Sequence, residues 1–338
     1  MSRIRYRAAI NAALREELAR DPAVFLLGED LRDPWGGTFK VTDGLSTEFG
    51  DERVLNTPIA ENGMVGVALG CALQGLRPVL ELMFLDFSLL AMDQIANQVA
   101  KIRYMTGGQV RVPLVIRAPG GGYRNAAAQH SQSLEAIFCH IPGLLVAVPS
   151  SPADAKGLLK TAIRLDDPVI FIEHKSMYMD LGEVPDHEQL VPFGVADVKR
   201  EGRDVTIVAW SRMVQFSLEA AERLSNEGID AEVVDPRTLV PLDEEAILGS
   251  VAKTGRLVVV GEAPRRGGYG GEVAATIAER GFDLLRSPIV RVGAANTPIP
   301  MAPALERVVL PQVETIVDAV RRCIDEGSRA SRTSIGVG

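Results

Sequence analysis

The chain has 338 residues, 46% of them hydrophobic and 24% charged, with a formal charge of −8 and a pI near 5.2. Such a chain reads as a globular protein of about two domains, and its acidity argues against nucleic acid or an anionic membrane as the main partner. Cys71, Cys139 and Cys323 lie far apart in apolar surroundings, which suits a reducing cytoplasm better than disulfides or a metal cluster. No stretch is long and apolar enough for a membrane span, and Met1–Leu18, with Glu16 and Glu17 inside it, does not have the pattern of a signal or transit peptide.

Short apolar runs alternate with helical patterns from the start, the signature of βαβ units and a parallel sheet. A helix is expected near Tyr6–Ala19 and a strand near Val24–Leu27. A helix near Glu61–Gln74, a strand near Arg77–Met83 and a helix near Phe87–Tyr104 come after them. Next are strands near Val112–Ile116, Leu144–Val148 and Val169–Ile172, with a helix near Pro152–Leu165. After a polar, proline-bearing stretch a second series begins. Its strands are expected near Val205–Trp210, Ala231–Asp235, Arg256–Gly261 and Ile289–Val292, and its helices near Val214–Glu227, Asp243–Lys253, Gly271–Arg280 and Leu305–Glu326. The fold class is α/β, two doubly wound domains: 1–185, a linker over 186–202, a second domain over 203–327, and a disordered tail over 328–338.

The segment Asn56-Thr57-Pro58-Ile59-Ala60-Glu61-Asn62-Gly63 places one carboxylate at the mouth of a helix that carries no charge until Arg77. The helix is expected to be buried on all sides, and Gly63, Gly66 and Gly70 form a smooth groove for another backbone or a flat ligand. Glu61 has an ordinary reading as a first-turn charge beside the helix dipole. Its sharper reading is an acid whose pKa rises on burial until it donates protons near the operating pH.

The glycine-rich loop Ala118-Pro119-Gly120-Gly121-Gly122-Tyr123-Arg124 leads to Gln129-His130-Ser131-Gln132. Leaving the carboxyl end of a strand, it delivers His130 to where doubly wound sheets meet their ligands. A lone histidine is more often structural, but the glycine hinge and polar neighbours favour an active-site role. Phe87 comes after a strand on the same sheet edge, where an aromatic can stack on a flat ring, although core packing is its commoner use. His140 is expected to cap or pack, and His174 and His187 have no supporting neighbours. Gly36-Gly37 reads as an active-site loop and Arg265-Arg266-Gly267-Gly268-Tyr269-Gly270-Gly271 as a mobile binding surface; neither fits a phosphate loop or a dinucleotide fingerprint.

From about Arg5 to Cys323 the chain resembles the β subunits of thiamine-diphosphate-dependent 2-oxo acid dehydrogenases of the pyruvate dehydrogenase type. The carriers are Leu27-Gly28-Glu29-Asp30, Thr57-Pro58-Ile59-Ala60-Glu61, Asp93-Gln94-Ile95, Ala128-Gln129-His130-Ser131-Gln132, Pro142-Gly143-Leu144, Asp154-Ala155-Lys156-Gly157-Leu158 and Asp235-Pro236-Arg237-Thr238-Leu239. The resemblance implies a pyrimidine-binding domain followed by a transketolase C-terminal-like domain. It implies that Glu61 hydrogen-bonds a ring nitrogen of the aminopyrimidine and favours the imino form that activates the thiazolium carbon. It gives Phe87 stacking on that ring, His130 a proton-donor or oxyanion role toward the 2-oxo acid and the lipoyl group, and Glu29 a place in the active-site network. It also implies a potassium ion held mainly by backbone oxygens at Leu114, Ala162, Ile163, Leu165 and Asp167, where relatives often carry Asp and Asn at the last two positions.

No Gly-Asp-Gly followed about thirty residues later by asparagine is found, and that is the pattern by which thiamine enzymes hold magnesium diphosphate. The resemblance accounts for this with an α subunit that binds the diphosphate and magnesium, in an α2β2 heterotetramer. It also implies a lipoyl acyltransferase core as partner, with the Arg265-Arg266 loop a candidate docking point. The activity implied is oxidative decarboxylation of a 2-oxo acid, pyruvate first, with acyl transfer to lipoyl groups. Acetoin and branched-chain 2-oxo acid dehydrogenases are the alternatives, and a transketolase-like transferase is a more distant one.

Overall fold

The computed structural model describes residues 1–334, the side chains of 327–334 excepted; the tail expected over 328–338 lies outside the residues described in full. The chain divides into two compact units, one of residues 1–124, 129–193 and 239–241, the other of residues 125–128, 194–238 and 242 onward.

In chain order the strands of the first unit are β1 (Ser2–Arg5), β2 (Val24–Gly28), β3 (Val54–Asn56), β4 (Arg77–Glu81), β5 (Val115–Gly120), β6 (Leu145–Ala147), β7 (Val169–His174) and β8 (Leu181–Val184). β1 and β8 form a separate antiparallel pair. The main sheet runs β6-β7-β5-β4-β2-β3, and all its observed pairings are parallel. Residues 239–241 return to this unit, and their strand sits beside β6. β2 and β5 are buried along their whole length, as expected of parallel strands covered on both faces. Helices Tyr6–Arg20 and Pro152–Arg164 cover one face, their Ile10, Leu14, Leu158 and Leu159 joining Leu26, Val79 and Phe171 in one core. Helix Pro152–Arg164 starts as its sequence dictates: Ser151 Oγ accepts from Asp154 N–H (3.1 Å), and proline takes the first position.

The remaining strands are β9 (Asp197–Arg200), β10 (Val205–Ala209), β11 (Ala231–Asp235), β12 (Thr238–Val240), β13 (Leu257–Pro264) and β14 (Val290–Ala294). All but β12, the strand beside β6, form the sheet of the second unit. Its order is β14-β13-β10-β11-β9, parallel except for β9. Both units are thus α/β with parallel cores, as the alternating pattern predicts.

Several expected elements differ. The strand expected at Val112–Ile116 begins at Val115 and ends at Gly120. The helix expected over Phe87–Tyr104 is broken into a tight turn at Leu85–Ala91, a wide π turn at Gln94–Val99 and a short helix at Ile102–Met105. The π turn sets Ala100 N–H on Ile95 O (3.1 Å), and the Ala100 carbonyl is met by Gly143, where an added Cβ would lie 2.0 Å from it. The helix expected over Leu305–Glu326 is two, Pro303–Val309 and Val313–Ser334, parted at Pro311, which has no N–H to continue the ladder.

Candidate active site

Glu29, Glu61, Phe87 and His130 come after β2, β3, β4 and β5 respectively, so the parallel sheet brings all four to its carboxyl edge. Glu61 opens helix Glu61–Leu73 and is 6% exposed, although Ile59 just before it is 78% exposed. Among the described residues its carboxylate has no hydrogen-bond or ion-pair partner. Glu29 is equally buried, and among the described residues its Oε1 has no hydrogen-bond partner; nor has the buried Thr57 Oγ1. The Thr57 N–H donates to Gly28 O (2.9 Å), tying the loop that carries Glu61 to the end of β2 that carries Glu29. Burial pushes the Glu29 carboxyl above its ordinary value, and the like charges of Glu61, Asp30 and Glu81 push it further. Buried acids left without partners are costly, and two of them side by side are the signature of a site built to receive a donor.

The helix behind Glu61 corrects one expectation. It is not buried all round: Gly63, Val67 and Gly70, one stripe at helical spacing, are exposed, Val67 at 60%. An added Cβ at Gly70 would meet nothing within 4 Å, so this glycine does not serve packing among the described residues.

His130 sits in an aromatic cluster. Its ring is 4.7 Å from Phe84 and 5.3 Å from Phe87, both edge to face, and Phe84 and Phe87 are 5.5 Å apart. The histidine loop is pinned to the turn after β4: the Gln132 N–H and Nε2 both donate to Asp86 Oδ1 (3.2 and 2.8 Å), and the Gly121 N–H donates to Gln132 O (3.1 Å). Asp86 Oδ2 and Ser131 Oγ are buried without hydrogen-bond partners among the described residues. Phe84 and Asp86 carry no signal of their own in the sequence beyond their place beside Phe87. His174 is also better supported than its sequence surroundings suggest. It ends β7 at 4% exposure beside Ser176, and an added Cβ at Gly121 would lie 2.2 Å from its Nε2. Gly121, at φ +80°, is therefore required twice, for its conformation and for this ring.

Beneath the edge lies a buried charge ladder. Arg117 on β5 donates from Nη1 to Glu81 Oε2 on β4 (2.7 Å) and from Nε and Nη2 to the two oxygens of Glu173 on β7 (2.6 and 2.9 Å). The Tyr178 hydroxyl donates to Glu173 Oε2 (2.7 Å), and all four residues are at most 6% exposed. Burial alone would lower the Arg117 pKa, but Glu173 and Glu81 reverse this and raise it. Burial raises Glu81, with Arg117 opposing and Glu173 adding to the rise. The Gly36-Gly37 loop rests on this ladder: an added Cβ at Gly37 would lie 3.1 Å from Glu81 Oε1. The ladder thus connects that loop to the sheet interior.

The oxygens named for potassium are in the first unit and partly engaged. Arg77 Nη1 donates to Ile163 O (3.0 Å) and Leu165 O (2.9 Å), and its Nη2 to Asp166 Oδ1 (2.7 Å). Leu114 O accepts from Val169 N–H (2.9 Å), Ala162 O from Leu165 N–H (3.3 Å), and the Asp167 carboxylate pairs with Arg103. Backbone oxygens suit a hard cation, and each keeps a second lone pair; Arg77 already brings one positive charge to two of them.

The bare Glu29 oxygen gives a pH prediction. The folded pKa of this acid lies above the ordinary 4.5, so the folded state holds the extra proton as pH rises from 4.5, and stability falls through that window. Glu29→Gln is therefore expected to melt higher than the parent at about pH 8 and no higher at about pH 4. Equal melting temperatures at both would contradict the raised value.

Residues 2–180 match the family model described as the transketolase pyrimidine binding domain, and residues 194–316 match the transketolase C-terminal domain. The β subunit of acetoin:2,6-dichlorophenolindophenol oxidoreductase of Cupriavidus necator is 48% identical, the match covering 94% of this chain and 97% of that one. The pyruvate dehydrogenase E1 component subunit beta-2 of Oryza sativa subsp. japonica is 47% identical over 94% of this chain and 85% of its own length. The 2-oxoisovalerate dehydrogenase subunit beta of Bacillus subtilis is 47% identical over 95% and 98%. Among solved structures, a split-gene transketolase described as an inactive beta4 tetramer superposes with a TM-score of 0.79 at 29% identity, covering 96% of this chain and 99% of that one.

Proposed function

Since the chain belongs to the family of transketolase-like β subunits that thiamine-diphosphate-dependent 2-oxo acid dehydrogenases share, we propose that it forms the pyrimidine half of a thiamine diphosphate site completed by an α subunit. The single observation that carries this is the pair of buried acids, Glu61 without a partner and Glu29 with one bare oxygen among the described residues, at the strand edge that also presents Phe87 and His130. That setting fits an aminopyrimidine, a flat ring that offers nitrogen to a carboxylate and a face to a phenyl group. When bound, thiamine diphosphate supplies a stabilised carbanion for cleaving the bond beside a carbonyl.

The residues then divide the work. Glu61 would exchange a proton with the ring nitrogen, and with no competing partner among the described residues its carboxylate is free to do so. Glu29, its pKa raised, shares the negative charge of the pocket. Phe87 walls one face of the ring. His130, held edge-on by Phe84 and Phe87 and anchored through Gln132, donates a proton to the substrate oxygen and to the incoming lipoyl sulfur. The open stripe Gly63–Val67–Gly70 supports close approach of a second chain beside the site. The α subunit would supply the magnesium and the diphosphate grip in an α2β2 assembly; the inactive beta4 tetramer named for the split-gene transketolase supports such dependence. Potassium is proposed at the carbonyls of Leu114, Ala162, Ile163 and Leu165 with Asp167, beside Arg77.

The proposed substrate is pyruvate, and the product an acyl group delivered to the lipoyl arm of an acyltransferase core, in the cytoplasm. Acetoin cleavage is the second reading, favoured by the 48% identity to acetoin-type β chains. The test is co-purification with the α chain, then dye reduction with pyruvate, branched-chain 2-oxo acids and acetoin, in potassium and in sodium chloride. Pyruvate is expected to be turned over fastest, and faster in potassium. His130→Ala is expected to keep dye reduction measurable while losing lipoyl transfer by about 10²-fold or more; full transfer by that variant would remove His130 from the role, and acetoin as the best substrate would replace the first reading with the second.

A further inference from the structure

We propose that the second unit carries a separate binding site for a small phosphorylated molecule, in the arginine-lined cavity at the carboxyl ends of β13 and β14. The cavity has a volume of about 530 Å³, within the roughly 300–1,000 Å³ of small-molecule sites, and among the described residues its lining contains Arg265, Arg266 and Arg291 and no acidic residue.

The backbone explains why the arginines gather there. β13 pairs with β14 in register at Val258–Val290, Val259–Arg291 and Val260–Val292, but next at Pro264–Ala294, so β13 carries two extra residues in between. Such a bulge turns the chain and re-aims the side chains beyond it. Here it swings Arg265 over Gly293, where an added Cβ would lie 2.7 Å from Ala263 O and 3.0 Å from Arg265 Cγ. Arg291 projects from β14 toward the same mouth, its Nη1 lying 3.4 Å from Arg265 O.

Among the described residues none of the three guanidinium groups has a carboxylate partner. This is unusual in a chain of net charge −8 whose other surface arginines are so often paired. The acid closest in sequence to the far wall, Glu314, is already bound to Arg223 (2.9 Å). The far wall itself is the start of helix Val313–Ser334, where Thr315 lines the cavity and its Oγ1 accepts from Gln312 N–H (3.3 Å). Arginine forks match the oxygens of a phosphate bidentately, and the helix start adds a favourable dipole. The position, outside the carboxyl ends of parallel strands, is where open α/β sheets take ligands. Val308, Val309 and Leu310 supply an apolar side for the organic part.

The experiment titrates the full chain, alone and assembled with its α subunit under saturating magnesium and thiamine diphosphate so that the cofactor's own diphosphate site is filled, with inorganic pyrophosphate and with citrate, read by calorimetry and phosphorus NMR. Saturable pyrophosphate binding is expected in both forms. It should be weakened about tenfold or more in R265Q/R266Q and in R291Q, at unchanged melting temperature, with citrate a poor competitor. No saturable binding, or binding that survives both variants, would overturn the site. Citrate binding as well as pyrophosphate would make it a carboxylate site instead. Loss of binding on assembly would make the cavity a subunit contact, and each of these outcomes rejects the proposal without touching the thiamine half-site.

Discussion

Glu61→Gln is expected to lower 2-oxo acid-dependent dye reduction by the assembled enzyme about 10²–10⁴-fold, the range carried by a positioned proton-transfer group. The amide keeps the shape of the acid but cannot take up and return a proton. Because Glu61 is buried without a hydrogen-bond or ion-pair partner among the described residues, the substitution breaks no such bond there, so the melting temperature should not fall. The two readouts together separate chemistry from folding: a large activity loss at constant stability supports the role, and activity within a few-fold of the parent would end it. A fall in stability as large as the fall in activity would instead make Glu61 a structural acid.

Arg117→Met carries the largest expected effect on stability. The guanidinium is 1% exposed and serves Glu81 and Glu173, themselves 6% and 0% exposed. Removing it leaves two buried carboxylates facing each other, a change that costs about 3–5 kcal/mol. For a unit of this size that is a fall of roughly 10 °C or more in Tm. The triple variant R117M/E81Q/E173Q is expected to recover much of the loss, because it removes the stranded charges along with the cation. Thermal melts of the full chain decide it: a single variant that melts like the parent would show the ladder to be dispensable, and a triple variant as unstable as the single one would assign the loss to packing instead of charge.

The layout of the site is largely readable from sequence, for local reasons. The run ending Leu27-Gly28-Glu29 and the Pro58–Gly63 entry carry their own strand-end and helix-start signals, and β2 with helix Glu61–Leu73 lies where these place it. The glycine loop delivers His130 to the edge, and Phe87 comes after β4 beside it. Long-range and backbone-width effects are not readable. Arg117 reaches partners 36 and 56 residues away, and no local pattern announces that three parallel strands will bring these opposite charges together, Glu81 in register with Arg117 and Glu173 two residues further along its strand. Asp86 and Gln132 meet across 46 residues. The break between Leu85 and Met105 comes from a π turn seated against Gly143, which helical periodicity alone does not reveal. The stripe Gly63–Val67–Gly70 misleads for a different reason: an apolar face left open and an apolar face packed in the core have the same composition.

The second unit offers a contrast. Its strands β10 and β11 begin where the apolar runs begin, while the Arg265-Arg266 segment, legible only as a mobile binding surface, is aimed by the two-residue bulge in β13. Bulges change direction without changing composition, so the convergence of three arginines on one cavity has to be seen in three dimensions.

Deuterium exchange at the reactive carbon of thiamine diphosphate tests the shared half-site most directly, since it reads the proton step before any substrate enters. Measured by quenched-flow NMR, exchange is expected to be fast only when this chain and its α partner are combined, and to drop to the rate of the free cofactor with Glu61→Gln in the same assembly. Fast exchange in this chain alone, or in the assembled Glu61→Gln variant, would contradict the account.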